Sequence, residues 1–228
     1  MILNLDTWIN VVFLITTLIT ILIFYFANNR PLQLILLIIG WSIFQSILAY
    51  VGFYQNSVSI PPRFLLVLLP PTLLIVFGLL KKQREWIYKN KKTEISTFLH
   101  TIRIPVEIIL LYLFFHKMIP ELMTFEGLNF DIAAGITAPI IGILYYTHAI
   151  SKKALLIWNI LGLILILSIL TMGVLSAELP IQQFAFDQPN RALNYFPFIL
   201  LAATVVPIVI YTHISDILKL LKEIKSNN

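Results

Sequence analysis

The stretch Ile95–Glu121, ISTFLHTIRIPVEIILLYLFFHKMIPE, decides how the rest of the chain is interpreted. It is long and apolar enough to cross a bilayer, yet it carries His100, Arg103 and Glu107 in its first half and His116 near its end. Charged side chains at membrane depth are costly, so they usually face a protein interior or a water-filled cavity and mark functional sites. We therefore expect the other helices to surround this one.

The composition of the whole chain favours membrane insertion. Of its 228 residues, 59% are hydrophobic and 12% are charged. Apolar runs of about 20 residues recur without the alternation of a β-barrel, which predicts transmembrane helices. The chain has no cysteine, which excludes disulfides, thiolate metal sites and cysteine nucleophiles. A net charge of +5 is explained by the location of the basic residues, and we expect no nucleic-acid partner.

Seven apolar segments predict an all-α fold, a bundle of seven transmembrane helices that forms a single domain over residues 1–228. The predicted spans are 8–27, 32–54, 64–80, 95–118, 131–150, 154–176 and 196–218. Pro70 and Pro71 lie at the centre of the third span, where two missing N–H donors are expected to kink or break the helix. Gly135, Ala138 and Gly142 form a stripe of small residues on the fifth span, which predicts close helix contact.

Basic residues predict the orientation of this bundle. One side holds Arg30, the lysines and arginine of 81–94, Lys152 with Lys153, and the lysines of the C-terminal tail. The other side has three basic residues, which are Arg63, Lys117 and Arg191. Under the positive-inside rule the N-terminus is outside and the C-terminus is cytoplasmic. We expect a bacterial inner membrane, because the chain is small and has no soluble domain.

Arg103 and Glu107 are the first candidate site. They are four residues apart and can pair, although Pro105 between them distorts the turn. His100 lies on the same helical face, and Asn159 on the sixth span is at comparable depth. These four polar side chains predict a binding site for a small solute, an ion or a proton. The alternative is a structural ion pair that holds the fourth span in the bundle.

Three histidines form the second candidate site, a metal centre. His100, His148 and His213 come from the fourth, fifth and seventh spans and lie at similar distances from the basic boundary, and Asp216 lies one turn beyond His213. Neutral imidazoles with a carboxylate would hold Zn²⁺ or a similar divalent metal with one open position. No HExxH motif supports this hypothesis, and the alternative is separate interfacial histidines.

Asn129 and Asp131 precede the fifth span, and we expect one of them to cap its helix. The seventh span has no lysine before Lys219 at its end, so we expect no retinal Schiff base.

A small-solute or ion transporter is the leading hypothesis, with the bilayer and a small solute or ion as its partners. The alternatives are a membrane-embedded, metal-dependent enzyme that acts on a lipid-like substrate, and a non-catalytic subunit of a membrane complex, with oligomers or partner subunits. The enzyme requires that the histidines converge. The transporter requires a cavity near the middle of the membrane. The subunit requires neither.

Overall fold

The fold is all-α, as predicted. The computed structural model describes residues 2, 5–56, 59 and 61–226. Within these residues the α-helices are α1 Thr7–Ala27, α2 Leu32–Tyr50, α3 Leu65–Gly78, α4 Lys81–Asn90, α5 Thr93–Leu99, α6 Arg103–Phe115, α7 Asp131–Tyr146, α8 Lys152–Leu175 and α9 Val206–Ser226. A 3₁₀ turn, His100–Ile102, joins α5 to α6, and a π-helical segment, Leu201–Val205, leads into α9.

Five of the helical segments are long and apolar enough to cross a membrane, and a sixth is obtained when α3 and α4 count as one bent span. The five are Thr7–Ala27, Leu32–Tyr50, Thr93–Phe115, Lys152–Leu175 and Leu201–Ser226. At 1.5 Å per residue, the 14 residues of α3 cover about 21 Å and the 16 of α7 about 24 Å. Both are shorter than a hydrocarbon core of about 30 Å. The chain is therefore an integral membrane protein with five or six candidate spans.

The helix break predicted in the third span lies at a different place. α3 continues through Pro70 and Pro71. An 81° bend follows eight residues later, between Gly78 and Lys81, where the apolar helix meets the basic helix α4. The change from apolar to charged sequence marks the bend, because lysine and arginine side chains are costly at membrane depth.

Pro207 changes the backbone hydrogen bonding of the last span. A proline has no N–H, so it frees the carbonyl four residues earlier, which here is the carbonyl of Ala203. The indole Nε1 of Trp41 on α2 donates to this oxygen at 3.2 Å. The π-helical segment just before Pro207 thus gives α2 a polar attachment to α9.

α5 and α6 form the centre of the bundle. α1, α7 and α9 pack around them, and α8 packs along α9 and α7. The small-residue stripe of α7 makes the predicted close contact. A Cβ built on Gly135 would lie 3.1 Å from Cβ of Arg103, one on Gly142 would lie 2.9 Å from the ring of Phe98, and Ala138 is buried.

The basic segments meet at one end of the bundle. Lys92 N–H donates to the carbonyl of Ala27 at the end of α1, at 2.7 Å. Lys152 at the start of α8 pairs with Glu223 near the end of α9 at 2.6 Å. Lys222 on α9 pairs with Glu85 on α4 at 3.3 Å. We call this the basic end.

The segment 177–195 covers the opposite end. Gln188 Nε2 donates to the carbonyls of Phe114 and Ile119 at 3.1 and 2.6 Å, and Asn190 Nδ2 donates to Gly173 at 3.0 Å. The amide of Arg191 donates to the carbonyl of Met118 at 2.9 Å. These bonds connect the ends of α6 and α8, so the segment is part of the fold.

Candidate functional site

Arg103 is the centre of a buried polar network. Its Nη1 donates to Oδ1 of Asp131 at 2.8 Å, and its Nη2 lies 2.7 Å from Nε2 of His213 and 3.3 Å from the carbonyl of Gly162. Arg103 and Asp131 are both almost completely buried. Arg103 on α6 thus contacts α7, α8 and α9 with one side chain. The pairing with Glu107 expected from the four-residue spacing does not form, and Asp131 is the partner instead.

Glu107 lies one turn further along α6, at Asn129. Nδ2 of Asn129 is 2.7 and 2.6 Å from the two carboxylate oxygens and 3.0 Å from the carbonyl of Met123. Oδ1 of Asn129 accepts the amide N–H of Asp131 at 3.0 Å, which fixes the orientation of the amide group. α7 begins at Asp131, and its N-cap residue Phe130 makes no side-chain bond. Asn129, one residue earlier, satisfies the first N–H of the helix instead, so one of the two expected residues does cap α7.

Glu107 is connected by few hydrogen bonds for a buried carboxylate. An ionised carboxylate has about four acceptor positions, and here one amide nitrogen serves both oxygens. Beside it lies a cavity of about 50 Å³, lined by Glu107, Asp131 and otherwise mostly by apolar side chains such as Phe64 and Ile166. A water needs about 10 to 15 Å³ of such space, so the cavity has room for a few waters or a small ion.

His213 continues the network towards α8. Its Nδ1 lies 2.9 Å from Oδ1 of Asn159, while Nδ2 of Asn159 donates to the carbonyl of Leu155 at 3.0 Å. Because Oδ1 is an acceptor and Arg103 only donates, the bonds assign a neutral imidazole with its proton on Nδ1. Gly162 makes room for the ring, since a Cβ there would lie 2.5 Å from Cε1 of His213.

His100 stacks on His213. The ring centroids are 3.8 Å apart with an interplanar angle of 14°, and the ring of Trp158 lies edge-on to His100 with the centroids 5.4 Å apart. His100 is completely buried, and neither ring nitrogen has a hydrogen-bond partner among the described residues. A second imidazole with free nitrogens therefore lies against the one that Arg103 contacts.

A second polar group lies nearer the basic end. Oδ2 of Asp216 accepts from Oγ of Ser96 at 2.6 Å and lies 3.7 Å from Nζ of Lys91, and both charged side chains are completely buried. Burial lowers the pKa of Lys91, and the Asp216 carboxylate opposes that shift. Asp216 follows His213 by three residues on α9, so the two polar groups share one helix face.

The polar residues of the fourth span form one stripe. Ser96, His100, Arg103 and Glu107 are spaced by four, three and four residues and are all buried, as one face of a helix requires. With Lys91 they extend over 16 residues, which is about 24 Å along a helix. Buried polar side chains thus run from the basic end to the cavity beside Glu107.

The four predicted metal ligands do not converge. His100 and His213 are stacked, and Asp216 binds Ser96 and Lys91. His148 is exposed in the turn after α7, with a positive φ of 58°. Among the residues that the structure describes, no three His, Asp or Glu side chains form a group that could hold a metal ion. The predicted zinc centre is therefore corrected: His100 stacks on His213, His213 is hydrogen-bonded to Arg103 and Asn159, and His148 lies apart from both.

Comparison with known proteins gives one match. No curated protein and no solved structure matches the chain. A family model described as "Domain of unknown function (DUF8737)" matches residues 61–221. This range includes every residue of the polar network from Lys91 to Asp216, and α1 and α2 lie outside it. Because the match covers more than half of the 228 residues, the chain belongs to this family.

Proposed function

We propose that the protein is a membrane transporter of a small solute or an ion, in which the buried network around Arg103 binds and releases a proton. The observation that carries the proposal is the charge count beside the cavity. Arg103 supplies one positive charge, whereas Asp131 and Glu107 supply two carboxylates. An uncompensated buried charge is costly, so the cluster requires one further cation, either a proton or a small metal ion.

Glu107 is the group to which we assign this cation. Asp131 is held by Arg103 at 2.8 Å, whereas Glu107 has unused acceptor positions and lines the cavity. Arg103 remains charged and acts as a fixed counter-ion. Binding of a proton or cation at Glu107, and its release, would change the number of negative charges that attract Arg103. The Nη2 of Arg103 is in contact with His213, so the change would also reach that ring.

The stripe of polar residues on the fourth span provides a route for the proton. His100 has two ring nitrogens without partners in the described residues and lies between Arg103 and Ser96 on the central helix. Histidine side chains accept and donate protons readily, and they take part in the proton relays of membrane proteins. The proposed route connects Glu107 through His100 to Asp216 and the basic end, while His213 holds His100 in place by stacking.

Proton flux into proteoliposomes tests this function. With a pH-sensitive dye inside the vesicles and an imposed membrane potential, the wild type is expected to acidify the lumen. Glu107→Gln, which keeps the size of the side chain and removes the titratable group, is expected to reduce the initial rate at least tenfold. Glu178→Gln is the matched control, because Glu178 is an exposed carboxylate paired with Arg191, and it should retain the rate. Equal rates for the two variants would contradict the assignment of Glu107.

The proposed topology has seven spans, with α3 and α7 as short spans, the N-terminus outside and the basic end in the cytoplasm of a bacterial inner membrane. The clustering of the basic segments at one end of the bundle supports it. The chain has no cysteine, so a single introduced thiol reports one position. In intact cells, Lys89→Cys should resist a membrane-impermeant maleimide and Glu178→Cys should react. The reverse labelling pattern would show that the protein has the opposite orientation in the membrane.

The two alternatives differ in their support. A metal-dependent enzyme needs converging ligands, and the separation of His148 from the stacked histidines argues against it. A non-catalytic subunit predicts stable partners and no flux. Co-purification of stoichiometric partner chains, together with inactive proteoliposomes, would favour the subunit over the transporter.

A further inference from the structure

A large cleft lies on the side of the bundle away from the polar network. It has a volume of about 910 Å³ and lies between α2 on one side and α3, α4 and α9 on the other. Its walls are mostly apolar, with Trp41 and Phe44 on α2 and the pair Pro70–Pro71 on α3. Ligand pockets have volumes of about 300 to 1,000 Å³, so the cleft is large enough for a sizeable apolar molecule.

The cleft has the depth of one membrane leaflet. Its lining runs along α2 from Leu32 at the basic end to Phe44. Twelve residues of helix cover about 18 Å, and half of a hydrocarbon core of about 30 Å is about 15 Å. An extended chain of a lipid in the leaflet at the basic end therefore matches the length of the cleft.

Two basic residues flank the cleft at the basic end without lining it, and the guanidinium of one of them, Arg30, lies 5.4 Å from the ring of Phe26 on α1. Pro31 and Gln83 line the mouth of the cleft at the basic end, directly after Arg30 and Lys82. Arg30 and Lys82 are exposed, and neither forms an ion pair within the described part of the chain. Basic residues beside a membrane attract anionic lipid headgroups. Trp86 on α4 also lines the mouth, at the level where aromatic side chains meet headgroups.

We infer that the cleft is a binding site for one anionic membrane lipid, whose acyl chain lies between α2 and α3 and whose headgroup contacts Arg30 and Lys82. Charge complementarity at the mouth selects this occupant. A second copy of this chain offers no phosphate to these two cations, whereas an anionic lipid does. The site is separate from the proposed proton route, since its walls are formed by other side chains.

Gly40 provides a direct test of the acyl-chain part. It lines the cleft, and a Cβ added there would meet no atom within 4 Å. Gly40→Ala therefore fits without displacement, Gly40→Leu fills part of the cleft and Gly40→Trp fills more of it. Leu36→Trp is the matched control, because Leu36 is an exposed residue of the same helix that does not line the cleft.

The measurement is native mass spectrometry of detergent-purified protein titrated with phosphatidylglycerol or with phosphatidylcholine of the same acyl chains. The wild type should bind one phosphatidylglycerol about thirtyfold more tightly than phosphatidylcholine, as expected for two headgroup cations. Gly40→Leu should weaken binding of both lipids and Gly40→Trp should weaken it at least tenfold. Gly40→Ala and Leu36→Trp should match the wild type.

The double variant Arg30→Gln with Lys82→Gln tests the headgroup part at two exposed positions. It should reduce phosphatidylglycerol affinity to that of phosphatidylcholine and leave phosphatidylcholine binding unchanged. Equal affinities for the two lipids in the wild type would overturn the inference, as would equal binding by Gly40→Trp and Leu36→Trp, which would indicate non-specific surrounding lipid. Dissociation of a dimer by Gly40→Trp without loss of lipid would overturn it too and assign the cleft to a second copy of the chain.

Discussion

Two helices of this bundle, α9 and α2, meet the bilayer in opposite ways. In the span that contains α9, 61% of the most apolar part is buried inside the protein, whereas in α2 the share is 22%. α9 carries His213 and Asp216, and both are completely buried. α2 carries apolar side chains such as Leu36 and Ile47 that remain exposed.

This difference in burial follows from the fact that lipid chains solvate apolar side chains but not hydrogen-bonding ones. Hydrocarbon chains solvate leucine and isoleucine as well as protein does, so α2 needs little packing against its neighbours. They do not hydrogen-bond, so a charged or amide side chain must find every partner inside the protein. We call α5 to α9 the tight half of the molecule, because it holds buried charged side chains such as Arg103 and Asp216, and α2 with α3 the open half, because the cleft lies between these two helices.

The largest effect is expected at the centre of the tight half. Arg103→Ala leaves Asp131 buried without its cation, and breaking a buried pair in this way costs about 3 to 5 kcal/mol. The measurement is the free energy of unfolding in mixed detergent micelles, followed by circular dichroism. Arg191→Ala is the matched control, since the pair of Arg191 with Glu178 is exposed and such pairs contribute about 1 kcal/mol or less.

A double variant sharpens the same comparison. Replacement of both partners, Arg103→Leu with Asp131→Leu, removes the unpaired charge, and it should be more stable than Arg103→Ala alone. If Arg103→Ala were no less stable than Arg191→Ala, the burial of the pair would have no energetic role.

The same substitution at two glycines is expected to have opposite effects. A Cβ on Gly162 would lie 2.5 Å from the His213 ring, so Gly162→Ala forces α8 and α9 apart and should cost about 1 to 3 kcal/mol of unfolding free energy. A Cβ on Gly40 meets nothing within 4 Å, and alanine is a better helix former by up to about 1 kcal/mol. Gly40→Ala should therefore be neutral or stabilising in the same assay.

Equal destabilisation by the two alanines would contradict the contrast between the halves. Such a result would mean that α2 is packed by protein atoms where the structure leaves open space.

Much of the tight half was predictable from local sequence. The long apolar segments gave the helices, and the spacing of His100, Arg103 and Glu107 gave their common face, because helix periodicity is a local property. The stripe of Gly135, Ala138 and Gly142 also gave the close packing of α7.

The pairing inside the network was not predictable in the same way. The partner of Arg103 is Asp131, 28 residues away on another helix, and the four-residue spacing to Glu107 only supplied a local candidate. His148 was placed with the other histidines by its depth along a span. The helix ends two residues earlier at Tyr146, and the positive φ of His148 belongs to the turn that follows.

The cleft was also beyond the sequence, for a different physical reason. Apolar positions of α2 and α3 have the same composition whether they face protein or lipid, so the pattern contains no signal for the gap between two helices. Pro207 is the nearest to such a signal, since the carbonyl that it frees on Ala203 becomes the acceptor for Trp41.

The smallest effect is expected for that attachment. Trp41→Phe keeps an aromatic ring in the cleft wall and removes the 3.2 Å hydrogen bond to Ala203. Interhelical hydrogen bonds in membrane proteins contribute about 0.6 kcal/mol on average, so global stability should fall by about that amount. Trp158→Phe removes the 3.0 Å bond to Thr137 in the tight half and serves as the control. Hydrogen exchange of α2 amides should increase in Trp41→Phe alone, because this bond is one of few polar contacts between α2 and the last span. The bond between Ser42 and Thr204, at 2.7 Å, is present in both variants and therefore does not account for a difference between them. Unchanged hydrogen exchange in α2 would mean that this helix is held mainly by its apolar contacts. The open half would then be as well packed as the tight half.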